Sequence, residues 1–145
     1  MSADAIATII GRFGTSFDLK DWPALEELLA EQVALDYADL RGQVETVARS
    51  LFVEQRRRAL APLTTQHLLA NLEIEVDGDT ASCRAAGVIH RRLGDRFFDS
   101  HVVYEFGLAL QAGRFRIASI AQRVLWSEGD PSIHPGARQP GAAPR

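Results

Sequence analysis

The stretch TTQHLLANLEIEVDG, residues 64–78, is where this chain changes period. Upstream, apolar residues recur every three or four positions. Here they alternate, with Leu68, Ala70, Leu72, Ile74 and Val76 on one side, the two-residue repeat of a half-buried strand. Pro62 separates the two regimes, because proline cannot continue a helix. Asp77-Gly78 supplies a tight turn into TASCRAAGVIHRR (80–92). LGD and QAGR make two more turns, into RFFDSHVVYEFGLAL (96–110) and FRIASIAQRVLW (115–126). Long strands joined by tight turns predict one antiparallel, strongly curved sheet.

Before Pro62 the pattern is helical. Ile6, Ile9, Ile10, Phe13 and Phe17 form one apolar stripe, weakened at its end by Gly14 and Thr15. A second helix is expected from Trp22 to Ala30, with Asp21 as its N-cap and Pro23 in its first turn. QVALDYADL (32–40) alternates as a short strand. A third helix is expected from Val44 to Leu60, with Val44, Val47 and Leu51 facing inward. Three N-terminal helices against a bent sheet predict an α+β fold, a cone-shaped α+β barrel with an apolar interior, the kind of place where small molecules bind. The expected domain is residues 1–128. Residues 129–145, GDPSIHPGARQPGAAPR, are rich in Pro, Gly and Ala and read as a flexible tail.

The composition narrows the function. The 145 residues suit one domain with a real core. A net charge of −3 gives no electrostatic footprint for nucleic acid or an anionic membrane. No apolar run approaches the roughly 20 residues a membrane span needs, and the N-terminus lacks the basic and apolar regions of a secretory signal. A single cysteine, Cys83, forms no intramolecular disulfide and reads as a small buried hydrophobe. A cytoplasmic location is expected. The run Arg56-Arg57-Arg58 reads as a solvated helix face.

Five stretches carry a resemblance to a known family. They are FDLKDW (17–22), LDY (35–37), TTQH (64–67), DSH (99–101) and GRFRIASIAQRVLWSEG (113–129). In order and spacing the chain resembles the nuclear transport factor 2-like superfamily, within it the SnoaL-like branch, and there it is most similar to scytalone dehydratase and the bile-acid dehydratases. The resemblance implies a pocket with an acid after the first helix, a tyrosine on the first strand and two histidines on the sheet. By position these are Asp18, Tyr37, His67 and His101. The dehydratase pattern also has a tyrosine before the acid, where this chain has Phe17.

Such a set suits a cofactor-independent dehydratase or isomerase on a small, mostly apolar cyclic carbonyl compound. The reaction needs a base for the α-proton, an acid for the leaving hydroxyl and a donor to the carbonyl. Histidine titrates near neutrality, so His67 is the candidate acid/base, with Asp18 and His101 as its polar support and Tyr37 as the carbonyl donor. Phe17, Trp22, Tyr104 and Phe106 are the candidate substrate-binding residues. No metal ligation and no cofactor is expected; the partners expected are a small hydrophobic substrate and further copies of the chain, as homodimer or homotrimer. The residues also allow other readings. Strict alternation puts His67 on the polar side with Asn71, Glu73 and Glu75, and His101 with Asp99 and Glu105, unless a bulge turns either inward. His90 and His134 read as solvent-exposed. Asp36 or Asp39 would be the base of a ketosteroid-isomerase-like enzyme, and a non-catalytic binding or assembly module would use the same cone.

Overall fold

A computed structural model describes residues 3–37 and 44–135. Helix α1 spans Ala3–Asp18, α2 Trp22–Leu28 and α3 Arg49–Leu60; the strands are β1 Leu29–Asp36, β2 Val44–Ala48, β3 Thr64–Asp77, β4 Thr80–Leu93, β5 Arg96–Gln111 and β6 Arg114–Gly129. The helices pack on a single six-stranded sheet of order β2-β1-β6-β5-β4-β3. Its edge strands β2 and β3 do not meet, so the cone is not closed.

The predicted stripe of α1 is the heart of the core. Ile6, Ile10, Phe13 and Phe17 are each at most 3% exposed, and burying each such side chain stabilises by roughly 1.5–3 kcal/mol. Gly14 does not end the helix. It lets α1 lie close on β3, since a β-carbon there would stand 2.9 Å from Leu69 and 3.2 Å from the His67 side chain. Asp21 caps α2 as expected, accepting from the Ala24 N–H at 3.2 Å.

Three sequence expectations are corrected. The sheet is mixed, not wholly antiparallel, because β1 runs parallel to β6. No hairpin joins these two strands, so no turn signal could have revealed the pairing. The expected helix Val44–Leu60 begins only at Arg49. Val44–Ala48 instead pairs with β1 as an edge strand, as its two valines and a threonine favour, and Val44 and Leu51 face solvent. Finally, the chain beyond residue 128 is held as far as residue 135. The Asp130 N–H donates to the Phe97 carbonyl at 2.7 Å, Asp130 caps a short 3-10 turn at Pro131–Ile133, and Ile133 and His134 are buried.

The decisive local feature is a bulge in β3. Ala70 pairs with Ala86 and Glu73 with Arg84, so β3 carries one extra residue there, and Asn71 takes up the strain at φ +54°. Beyond the bulge the even-numbered Leu72 and Ile74 point inward, as expected, but before it the phase is reversed. Thr65, His67 and Leu69 turn toward the core and Leu68 is half exposed. Left-handed backbone suits Asn or Gly and costs a branched residue about 1–2 kcal/mol. Asn71→Gly is therefore expected to leave the urea midpoint nearly unchanged, and Asn71→Val to lower stability by about that amount.

Candidate active site

The bulge sets His67 against the C-terminal residue of α1. Asp18 accepts three hydrogen bonds: from the Thr65 hydroxyl at 3.0 Å, from the His67 backbone N–H at 2.7 Å, and from His67 Nδ1 at 2.7 Å. A carboxylate only accepts, so the proton of a neutral His67 sits on Nδ1 and leaves Nε2 as a free base. The Phe17 ring stacks on the imidazole, with centroids 5.0 Å apart. The side chains of His67 and Asp18 are 8% and 17% exposed.

His67 borders a small internal cavity of about 30 Å³. Phe17, Tyr37 and Tyr104 form part of its wall, with Gln122 from β6 and Arg91 from β4. Gln122 donates from Nε2 to the Tyr104 hydroxyl at 3.1 Å. Burial pushes the Tyr104 phenol far above its usual range, so it remains a neutral O–H. Burial is also the main influence on His67. It lowers the imidazole pKa below 6.5, against the opposing pull of Asp18 and with help from the charges of Arg91 and Arg56.

The expected set is thus only partly assembled. Asp18, Tyr37 and His67 come together. His101 does not join them. It lies on the opposite face of the sheet, where strand alternation puts it, with its ring stacked 4.0 Å from exposed Trp126. Asp99 lies on that face too, paired with Arg92 at 2.6 Å and His90 at 3.3 Å. His90 thus lies beside Asp99 with a half-covered side chain. Of the four candidate substrate contacts, Phe17 and Tyr104 line the cavity. Trp22 packs behind Phe17, at 6.2 Å between ring centroids, and Phe106 behind Phe13, at 5.2 Å. Asp36 faces outward and is exposed, so it is no base for this cavity, and Asp39 lies outside the described residues.

Two residues read as solvated prove to be walls of the site. Arg57 and Arg58 are exposed and pair with Glu54, but Arg56 points inward, 8% exposed, and lines the cavity. So does His134, 2% exposed, at the end of the segment that folds back after β6. The helical stripe Phe52, Val53, Arg56, Ala59, Leu60 was available as a signal for Arg56. Nothing in the sequence marked His134.

Because folding makes His67 harder to protonate, the unfolded chain binds the extra proton below its ordinary pKa of about 6.5. The contribution to stability is present above that pH and is lost as pH falls toward the depressed folded value, at up to about 1.4 kcal/mol per pH unit. Urea titrations between pH 7.5 and 5.5 are expected to show this decline in the wild type and a shallower one in His67→Gln.

A SnoaL-like domain model matches residues 2–121. No curated protein matches the chain. Among solved structures, a Kribbella flavida protein aligns with a TM-score of 0.84 at 19% identity, over 90% of this chain and 94% of that one. A Novosphingobium aromaticivorans protein named as a candidate scytalone dehydratase gives 0.78 at 16%, over 97% and 93%. A type 2 hexachlorocyclohexane dehydrochlorinase gives 0.75 at 16%, over 96% and 94%. At these identities the likenesses show a shared fold. The family itself follows from the match over most of the sequence: this chain belongs to the SnoaL-like domain family.

Proposed function

We propose that the protein is a cofactor-independent lyase or isomerase acting on a small cyclic carbonyl compound. The observation that carries this reading is the Asp18–His67 pair, a buried imidazole whose Nδ1 is fixed at 2.7 Å from a carboxylate while Nε2 is left as the base. A neutral imidazole in a buried wall is suited to taking a proton from carbon. The similar structures named for dehydration and dehydrochlorination support the same reaction class: removal of a proton and a leaving group from adjacent carbons.

In the dehydration the Nε2 lone pair of His67 takes the α-proton. The C–H electrons form the enolate, whose oxygen is met by the hydroxyl of Tyr37 or Tyr104. Collapse of the enolate forms the C=C bond and breaks the C–O bond to the β-hydroxyl. That leaving group takes the proton back from Nε2 and departs as water. Asp18 holds the ring in the one tautomer that works and steadies the imidazolium between the two transfers. Return of the proton to the γ-carbon instead would make the reaction an isomerisation.

A UV-monitored screen of cyclic β-hydroxy ketones and unsaturated ketones tests this. General acid–base catalysis contributes roughly 10²–10⁴-fold, so His67→Ala is expected to lose at least 100-fold in kcat with its circular dichroism unchanged. The wild-type rate is expected to rise with pH to a plateau, with its midpoint lower than the ordinary histidine value, since burial lowers the pKa of the base. Equal turnover by wild type and His67→Ala would overturn the proposal.

A further inference from the structure

The mechanism above leaves a buried cation without a task. Arg91 is 3% exposed. Its hydrogen bonds, to the Ser100 hydroxyl at 2.9 Å and the Phe98 carbonyl at 3.4 Å, use Nη1 alone. Its guanidinium lies 5.0 Å from the Phe98 ring centroid. Among the described residues no carboxylate stands within ion-pair distance of it. Among the described residues, Asp18 is taken up by Thr65 and His67, and Asp99, whose charge reaches Arg91 only from beyond ion-pair distance, is bound to Arg92. Burial lowers the Arg91 pKa only to about 10, so the charge persists at neutral pH. Arg56 brings a second guanidinium to the same cavity.

Retaining a buried charge without a counter-ion costs several kcal/mol, and a protein keeps such a charge where a ligand supplies the partner. The cavity holds one more unmet group. Gln122 is 5% exposed, and while its Nε2 is bonded to Tyr104, its Oε1 has no partner among the described residues. A guanidinium beside an unmet carbonyl oxygen matches a ligand with an anionic group and a hydroxyl or N–H close to it.

We propose that the substrate is a ring compound bearing a carboxylate, bound by Arg91 with Arg56, and that Gln122 Oε1 accepts its hydroxyl. This rests on the lyase reading for the reaction, but binding is independent of it. Such a ligand links the two halves of the site. Its charge offsets the field of the guanidiniums, which adds to the effect of burial in holding down the His67 pKa, so binding makes His67 a stronger base. A cavity of about 30 Å³ holds little more than one water. Admitting a ring therefore moves part of the wall, and the wall residues outside the α-helices and the sheet are Tyr37, just after β1, and His134, just after the 3-10 turn.

The test uses benzoate as the carboxylate probe and benzamide as its neutral counterpart, each titrated at pH 7 into the full chain while the histidine ring signals are followed by NMR. The four histidines carry their own control: His67 and His134 line the cavity, whereas His101 is stacked on Trp126 and His90 is paired with Asp99. Benzoate is expected to shift His67 and His134 saturably, to leave the other two unmoved, and to bind at least tenfold tighter than benzamide. Arg91→Gln is expected to raise the benzoate Kd at least tenfold, to the benzamide level, with part of the affinity restored in Arg91→Lys. Should Arg91→Gln fail to fold, the wild-type comparison and Arg56→Gln decide. Equal affinity for the two probes, shifts confined to His90 and His101, or no shift by 50 mM benzoate would overturn the proposal. Selective benzoate binding without turnover of any carbonyl substrate would overturn the lyase reading and leave the carboxylate site standing.

Discussion

The structure depends on one contact between two elements that have no reason of their own to meet: the last residue of α1 and the first turn-inward residues of β3. Asp18 accepts from the Thr65 hydroxyl and from both the backbone and the ring of His67. This ties helix to edge strand and gives the imidazole its tautomer in the same stroke. A carboxylate with three donors is satisfied without water, which is what allows it to sit at the rim of an apolar core. The Phe17 ring, one residue before Asp18 on α1, then stacks on the imidazole.

Two backbone devices make the contact reachable. Gly14 brings α1 down onto β3, where any side chain would crowd Leu69 and His67. The extra residue at Asn71 lets one strand present Thr65, His67 and Leu69 to the core at one end and Leu72 and Ile74 at the other. Without it, the half of β3 carrying Leu72 and Ile74 and the half carrying Thr65 and His67 could not both face inward, because successive side chains point to opposite faces. β5 has no such device between Ser100 and His101, and its histidine is left outside.

How much of this was legible in the sequence follows from the same particulars. The α1 stripe, the Asp21 cap and the three hairpin turns are local signals, and each was readable. The parallel β1–β6 pair and the strand at Val44–Ala48 depend on long-range partners, which local periodicity does not report. The alternation around His67 argued for the solvent face and was overridden by a bulge that no residue but Asn71 could have suggested. Motif position, not pattern, brought Asp18, Tyr37 and His67 together. Arg56 was hidden within a run of three arginines, two of which do face solvent, and His134 within a Pro- and Gly-rich segment that folds back through the Asp130 cap.

The central claim is that His67, kept neutral by burial, is held by Asp18 with its proton on Nδ1. The ¹⁵N chemical shifts of the His67 ring, followed from pH 8 to pH 5, test it most directly. The account predicts a protonated Nδ1 and a basic Nε2 at neutral pH, with the ring titrating below 6.5 and moving lower still in Asp18→Asn, which loses the charge that favours the imidazolium. A proton on Nε2 at neutral pH, or titration at or above 6.5, would contradict it.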